Sequence, residues 1–144
     1  MIKSILSCCK GNTCRSPMLE AFLKALLPEE VAVESAGTYE GCDPAVLTNS
    51  PSVNAMREGY GLDISGHRSR WVNDVNLDRF DLVVCMSRAE ASYIIAQNFP
   101  GLVMVANAKN GGVPNPWKMG PEVYAECAKV LESVAHEVVE LWFD

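Results

Sequence analysis

Short apolar runs alternate along this chain with segments of helical periodicity, and this order constrains the fold more than any other feature. Four runs have the length and composition of buried strands: residues 2–8, 31–33, 81–86 and 102–106. Strands that alternate with helices form a parallel sheet that is covered on both faces. We therefore expect an α/β fold in which one domain, residues 1–144, holds a four-stranded parallel sheet with helices on both faces.

The predicted helices begin at recognisable start signals. Each signal is a serine or a proline at the first positions, at Ser16-Pro17, Ser50-Pro51, Ser87 and Pro121. Ser16 is expected to be the N-cap of the first helix, and Ser87 is expected to form a capping box with the glutamate three residues on. The second helix is expected to end at Gly59 or Gly61, and the last to run to about Trp142.

Cysteine usage and the N-terminal residues predict a cytoplasmic protein. Six cysteines stand at positions 8, 9, 14, 42, 85 and 127, with no CxxC pair, and the chain has only two histidines. This spacing favours reduced thiols over a disulfide framework or a zinc site. The apolar run at the N-terminus is too short for a signal peptide, and no stretch approaches the length of a membrane span. We expect neither a bound metal nor a membrane partner.

The charge balance is acidic, with a formal net charge of −6. Because no basic face is evident, we expect no nucleic-acid partner. An acidic protein that handles an anionic group must concentrate positive potential at one place. In a parallel sheet that place is expected at the carboxyl ends of the strands, where ligands bind.

The segment between the first strand and the first helix is the candidate for such a place. Residues 9–16 read C-K-G-N-T-C-R-S. A bare C-x5-R pair is a weak motif, but Gly11, Asn12 and Ser16 at their places make chance a poor explanation. A tight loop that enters a helix turns its backbone N–H groups inward, and the helix N-terminus adds a partial positive charge. The sequence therefore predicts a phosphate-binding loop made of Lys10, Gly11, Asn12, Thr13, Cys14 and Arg15.

The residue types in this loop indicate nucleophilic phosphoryl transfer. Gly11 is expected to take backbone angles that are closed to other residues. Arg15 offers a planar fork that binds two phosphoryl oxygens together. The positive potential of the loop N–H groups, the helix N-terminus and Arg15 stabilises a thiolate at Cys9. This thiolate can attack phosphorus and form a phosphocysteine that water later hydrolyses. Ser16 can donate a hydrogen bond to the sulfur and ease its departure, so we expect Cys9, Arg15 and Ser16 to be catalytic.

The loop, in the form C-x-G-N-x-C-R-S-P, resembles that of the low-molecular-weight protein tyrosine phosphatases. Four further segments are similar to this family: residues 34–38, 61–70, 80–86 and 113–117. The resemblance implies a hydrolase without metal or cofactor that acts on phosphotyrosine-type protein substrates and binds phosphate-like oxyanions. It also implies that Asn12, Ser16, Ser35 and His67 form a hydrogen-bond network that holds the loop in shape. From the residues alone, His67 is better interpreted as an ordinary hydrogen-bonded histidine.

The chain departs from the family at one position that matters for catalysis. Residues 113–117 fall where the family has its D-P-aromatic loop, whose aspartate protonates the leaving group, and Asn115 occupies that place. An amide can hydrogen-bond the leaving oxygen but cannot give it a proton. We therefore expect catalysis to be slowed by about 10²–10⁴. A natural slow enzyme, a phosphoprotein-binding module and an engineered substrate-trapping form remain open.

The resemblance also bears on the substrate. It places Trp117 as a wall beside a flat substrate ring, with Tyr39 as the opposite wall. Thr13 stands where tyrosine-directed members carry a bulky aliphatic residue, and there the chain resembles the protein arginine phosphatases. Phosphoarginine is therefore the alternative substrate.

The remaining cysteines have weaker interpretations. The resemblance implies that Cys14 is a redox partner, which forms a reversible disulfide with Cys9 under peroxide. From the residues alone, Cys14 is simply a small side chain behind the loop. Cys8 is expected to point away from Cys9 and to be inert, because neighbours on a strand face opposite ways. Arsenate reductases use the same loop but need two relay cysteines, and the spacing of Cys42 and Cys85 does not suggest such a pair.

Overall fold

A parallel sheet forms the centre of the computed structural model, which describes residues 1–143. Its strands are β1 (Ser4–Cys9), β2 (Ala32–Gly37), β3 (Leu82–Cys85) and β4 (Leu102–Val105). They pair in the order β2-β1-β3-β4, and every pair is parallel. The predicted four-stranded parallel sheet is thus confirmed.

Helices cover both faces of this sheet. They are α1 (Arg15–Leu26), α2 (Ser50–Tyr60), α3 (Arg88–Ala96) and α4 (Pro121–Trp142), with short 3₁₀ helices at Val72–Asp74, Leu77–Arg79 and Ala108–Asn110. The predicted bounds of α4 are confirmed. Of the two glycines expected to end α2, Gly61 does so, in the left-handed conformation with φ of 66°. Glycine takes this conformation without the steric cost that a side chain would add.

The alternation of side chains along β1 divides the core into two layers. Ile5 and Cys9 face α1, α2 and α4 on one side of the sheet. Leu6 and Cys8 face α3 on the other side. The predicted opposite orientation of Cys8 and Cys9 is therefore confirmed, and it follows from the two-residue period of a strand.

The chain order of the strands decides where a ligand can bind. β1 lies between β2 and β3, so the connections on its two sides lead away in opposite directions. A crevice opens at such a switch point, at the carboxyl ends of the strands. The loop of residues 9–16 leaves β1 at this crevice and runs directly into α1.

Three sequence-based expectations about these elements are wrong. The second strand was expected at residues 31–33, but it continues to Gly37, because Ser35 and Gly37 pair in register with Ser7 and Cys9 of β1. Small and polar residues carry little strand signal of their own, so this pairing is set by the tertiary structure.

Ser16 is not the N-cap of α1. The helix begins at Arg15, Cys14 holds the cap position without a side-chain cap bond, and Ser16 lies in the first turn. Its hydroxyl is instead in contact with Cys9 and Asn12. The first N–H groups of this helix therefore lie at the loop without a capping side chain, as an anion site requires.

Ser87 is the N-cap of α3, as predicted, and its hydroxyl accepts a hydrogen bond from the backbone N–H of Ala89 at 3.2 Å. Glu90 does not reach back to the N-cap N–H, as a capping box would require. Its carboxylate instead accepts a hydrogen bond from the hydroxyl of Ser87. The carboxylate is nearly buried, and this bond gives it a partner.

Three further features bear on disulfide bonds, metal ions and membranes. All six cysteines are free and buried. Within residues 1–143, no three His, Cys, Asp or Glu side chains gather as metal ligands would. Over the same residues, no helix is both long enough and apolar enough to cross a membrane.

Candidate active site

The sulfur of Cys9 lies at the bottom of the loop, and polar groups surround it. Cys9 ends β1 and is only 2% exposed. The hydroxyl of Ser16 lies 2.9 Å from its sulfur, and the backbone N–H of Asn12 donates to the sulfur at 3.2 Å. Both groups lie within hydrogen-bonding distance of the sulfur, and the Ser16 hydroxyl is able to donate to it.

The tight turn of the loop depends on Asn12 rather than on Gly11. Asn12 has φ of 55°, whereas Gly11 is not among the residues with positive φ. The expected role of Gly11 is therefore wrong, and a methyl group there would meet only Thr13 Oγ1 at an ordinary 3.7 Å. Asparagine tolerates the left-handed region better than most residues, because its side chain bonds locally.

The side chain of Asn12 is the centre of the predicted network. Its amide nitrogen donates to Ser16 Oγ at 2.8 Å and to Ser35 Oγ at 3.1 Å. Its carbonyl oxygen accepts from the backbone N–H of Arg70 at 2.8 Å. Ser35 in turn donates to Glu20 of α1 at 2.6 Å. Asn12, Ser16 and Ser35 are thus brought together, and Asn12 is fully buried.

His67 joins the same network through the backbone. Its Nε2 lies 2.9 Å from the carbonyl oxygen of Asn12, so Nε2 carries the hydrogen and donates. Its Nδ1 is 3.8 Å from a carboxylate oxygen of Glu20. Burial lowers the pKa of His67, while the bond to Asn12 and the charge of Glu20 oppose that shift. The ring braces the loop from behind and does not line the cleft.

Arg15 is a buried cation without an anionic partner. Its side chain is 7% exposed, and Nη1 donates to the backbone carbonyl of Val113 at 2.8 Å. Among residues 1–143, no carboxylate forms an ion pair with it. A buried charge is costly unless it is paired, so this guanidinium is suited to pair with an anion in the cleft that it lines.

A cleft of about 610 Å³ opens above the loop. Residues 9–15 line it, and Tyr39, Asn115 and Trp117 lie at its walls. Tyr39 and Trp117 are 55% and 59% exposed, so both aromatic surfaces are available to a ligand. No aspartate or glutamate of the described chain lines the cleft, which leaves it without a carboxylic acid.

The position of Asn115 is set by a local turn. Its side-chain oxygen accepts from the backbone N–H of Trp117 at 3.2 Å. Glu122, the nearest carboxylate downstream, lies in the first turn of α4 as expected and does not line the cleft. Lys118 lies with its ammonium 4.4 Å from the centre of the Trp117 ring.

Cys14 is buried beside the cleft, in the same core layer as Cys127 of α4. The Cys127 thiol and burial raise the pKa of Cys14. The Cys14 thiol in turn lowers the pKa of Cys127. The cysteine behind the loop therefore has a thiol neighbour that the sequence did not indicate.

Several residues of the site were missed by sequence reasoning: Glu20, Ser69, Arg70 and Val113. A signal existed for Glu20 alone, since it lies one helical turn after Ser16 and so faces the loop. The others act through backbone atoms or from distant segments, and no local pattern marks such contacts.

Comparison with known proteins identifies the family. The model described as "Low molecular weight phosphotyrosine protein phosphatase" matches residues 4–141. A probable low-molecular-weight protein-tyrosine-phosphatase, EpsP of Ralstonia solanacearum, is 39% identical over 98 residues, which are 68% of this chain and 65% of that protein. The low-molecular-weight protein-tyrosine-phosphatase Wzb of Escherichia coli K12 is 30% identical over 95% of this chain and 93% of its own.

The relatives are not all phosphatases. Arsenate reductase 1 of Staphylococcus epidermidis is 34% identical over 94% of this chain and 98% of its own. Among solved structures, the tyrosine phosphatase Wzb from Escherichia coli K30 in complex with sulphate superposes with a TM-score of 0.86 at 25% identity, over 98% of this chain and 99% of that one. Fold and sequence agree on one assignment: the chain belongs to the low-molecular-weight phosphotyrosine protein phosphatase family.

Proposed function

We propose that this chain is a cysteine-dependent phosphomonoesterase that acts on phosphotyrosine-type protein substrates through a phosphocysteine intermediate. The observation that carries the proposal is the buried, unpaired guanidinium of Arg15 beside the hydrogen-bonded sulfur of Cys9. A phosphate dianion would supply the missing counter-charge and accept hydrogen bonds from backbone N–H groups of the loop. A related tyrosine phosphatase is solved with sulphate, an oxyanion of the same shape.

The proposed reaction has two steps. The Cys9 thiolate attacks phosphorus, the S–P bond forms, and the P–O bond to the leaving group breaks. Water then attacks phosphorus, inorganic phosphate leaves, and the sulfur departs as thiolate. Ser16, 2.9 Å from that sulfur, donates to it as its charge returns. Arg15 binds two phosphoryl oxygens through both steps.

Asn115 limits both steps in this proposal. It lies at the cleft wall, and from there it can donate a hydrogen bond to a leaving oxygen but no proton. No carboxylate of the described chain lines the cleft to replace it. Aryl phosphates with acidic leaving groups are therefore the best substrates, and a phosphorylated protein is held longer than it would be with an aspartate there.

The walls of the cleft support an aromatic phosphoester. Tyr39 and Trp117 are exposed side chains at the walls of the cleft that Cys9 lines, and a phenyl ring can gain apolar contact there. The near-complete burial of Cys9 favours a long phosphorylated side chain. Phosphorylated proteins are the partners that follow, and the six free thiols support a reducing compartment such as the cytoplasm.

Thr13 supports an alternative substrate, a phosphorylated arginine of a protein. This small, polar side chain lines the cleft and leaves room beside the phosphate for a planar guanidinium. Hydrolysis of free phosphoarginine faster than of an aryl phosphate, and its slowing by Thr13→Ile, would favour this substrate.

Arsenate reduction is supported only by the similarity to a staphylococcal arsenate reductase. Cys85 is fully buried and lies in the core layer opposite to Cys9, where it neighbours Cys8. A relay that passes a disulfide from Cys9 to Cys85 would have to cross the sheet. Arsenate-dependent oxidation of thioredoxin by this protein would nevertheless establish it.

We also propose reversible inactivation through Cys14. Peroxide oxidises the Cys9 thiolate to a sulfenic acid, and the thiol of Cys14 displaces water to form the disulfide. Cys127, in the same core layer as Cys14, is a second candidate thiol for this role. Peptide mapping after peroxide treatment distinguishes a Cys9–Cys14 bridge from a Cys14–Cys127 bridge, and Cys127→Ser leaves only the first.

The proposed function is tested by steady-state hydrolysis of p-nitrophenyl phosphate with and without vanadate. We expect measurable turnover that vanadate inhibits and that Cys9→Ser abolishes. Cys8→Ala is the matched control, because this neighbouring thiol faces the opposite core layer. Turnover that survives Cys9→Ser, or that Cys8→Ala abolishes in a folded protein, would rule out the mechanism.

A further inference from the structure

The orientation of the Asn12 side chain depends on one donor outside the loop. Its amide nitrogen bonds to Ser16 and Ser35, and its oxygen accepts from the backbone N–H of Arg70 at 2.8 Å. If this N–H moves, the oxygen loses its only described donor, and the amide can rotate. Asn12 also donates its backbone N–H to the sulfur of Cys9. Rotation of the Asn12 side-chain amide therefore disturbs the anion cradle, by which we mean the loop of residues 9–16.

Arg70 is held in place at both its backbone and its side chain. Its carbonyl oxygen accepts from the N–H of Gly37 at 2.8 Å. Its Nη2 donates to Glu34 Oε1 at 2.8 Å and lies 3.3 Å from the carbonyl oxygen of Ser35. The guanidinium of Arg70 therefore holds this residue against Glu34 and Ser35 of β2.

Glu34 is charged and is shared by a second arginine. Arg79 reaches both carboxylate oxygens from the solvent side, at 3.2 Å each. Partial burial alone would raise the pKa of Glu34, but the hydrogen bonds from Arg70 and Arg79 lower it below its ordinary value. The two arginines share one carboxylate, yet only Arg70 continues to the loop.

We infer that Arg70, anchored by Glu34, is a positioning residue for the oxyanion loop and acts through the hydrogen bond from its backbone N–H to Asn12. This role rests on the proposed function, since it serves the same anion cradle. Arg70 and Glu34 do not line the cleft, so neither touches a bound substrate. Their effect reaches phosphate only through Asn12 and the sulfur of Cys9.

The test compares Arg70→Met with Arg79→Met. Each variant removes one arginine from Glu34, so a purely structural role would lower the stability of both and leave the site intact. The readout is the rate of Cys9 alkylation by iodoacetate against pH, with inorganic phosphate as protecting ligand. It reports the thiolate fraction and the dissociation constant for phosphate in one experiment.

For Arg70→Met we expect phosphate affinity to fall by about ten-fold, the size of one charge-assisted hydrogen bond, and the alkylation profile to move to higher pH. Arg79→Met should leave both quantities unchanged. Arg70→Lys, which keeps a cation near Glu34, should restore part of the loss. If Arg70→Met fails to fold, Glu34→Gln replaces it, since this change keeps the side-chain volume and weakens the same anchor.

Two results would overturn the inference: unchanged profile and affinity in folded Arg70→Met, or an equal loss in Arg79→Met. Failure of the proposed function looks different. In that case the unaltered protein itself shows no protection of Cys9 by phosphate, whatever the variants do.

Discussion

Asn115 presents an amide at the cleft wall, where departure of an aryl oxygen requires a proton. The side chain is held by the backbone N–H of Trp117, so it is already oriented by a turn that an aspartate could also make. In the proposed reaction, the group that the cleft lacks among the described residues is a carboxylic acid.

Asn115→Asp should raise kcat for p-nitrophenyl phosphate and more strongly for phenyl phosphate, whose leaving group is less acidic. General acid catalysis accounts for about 10²–10⁴ in rate, and that range is the expected gain for the poorer leaving group. A descending limb at alkaline pH should appear in the pH–rate profile of the variant. Asn54→Asp, which adds the same charge on α2 away from the cleft, is the control. Equal rates for Asn115→Asp and the unaltered protein would refute the assignment of this position.

At the scale of elements, the end of β2 is pressed against the oxyanion loop. A methyl group on Gly37 would lie 2.5 Å from the carbonyl oxygen of Lys10 and 2.5 Å from the sulfur of Cys42. Real atoms of these types do not approach so closely, so a side chain at this position must push the strand and the loop apart.

Gly37→Ala should therefore destabilise the protein by about 1–3 kcal/mol and lower turnover together with phosphate affinity. Gly59→Ala is the matched control, because a methyl group there meets nothing within 4 Å. Removal of a glycine from a helix interior stabilises by about 0.5–1 kcal/mol. Chemical unfolding and phosphate inhibition measure both effects, and a Gly37→Ala protein of full stability and activity would contradict the close contact.

The stability that the ion pair between Glu34 of β2 and Arg70 contributes should depend on pH. The pKa of Glu34 is lowered below its ordinary value of 4.5, so its ionised form is favoured by folding. Its stabilisation is fully present above that value and is lost as the pH falls through the lowered pKa. The free energy of unfolding of Glu34→Gln should be lower than that of the unaltered protein at pH 7, by less than about 1 kcal/mol because the pair is partly exposed.

The difference in the free energy of unfolding between Glu34→Gln and the unaltered protein should shrink as the pH falls below the ordinary pKa range of a glutamate. The other carboxylates with lowered pKa values, Asp63 and Asp81, are common to both proteins, so their contributions cancel. Denaturant titrations of both proteins at several pH values measure it, and a difference that grows in acid would reverse the assigned sign.

At the scale of the whole molecule, sequence patterns predict those features of the fold that are determined by local chemistry. Apolar runs identify the sheet, helix signals identify α2 and α4, and the loop motif locates the site at the switch point of the strands. The apolar run alone does not indicate the carboxyl half of β2, because Ser35 and Gly37 become strand by pairing with β1. Only the family resemblance of residues 34–38 marks that half. Asn12 in place of Gly11 as the left-handed residue follows from bonds to distant segments that no local pattern reports.

The same distinction holds for the electrostatics of the molecule. The net charge of −6 does not show that a buried cation, Arg15, lies without a carboxylate partner among residues 1–143. That location depends on Arg15 entering α1 beside the cleft while the described carboxylates pair with other groups or face solvent. The proposed anion binding would thus be a property of the folded chain as a whole.

The most direct test of the central claim is intact-protein mass spectrometry of the chain mixed with p-nitrophenyl phosphate and quenched in acid. If Asn115 slows hydrolysis of the intermediate as proposed, a species heavier by one phosphoryl group should appear, mapped to Cys9 and absent from Cys9→Ser. A phosphoryl group on any other residue, or release of p-nitrophenol without a phosphorylated Cys9 at any quench time, would contradict it.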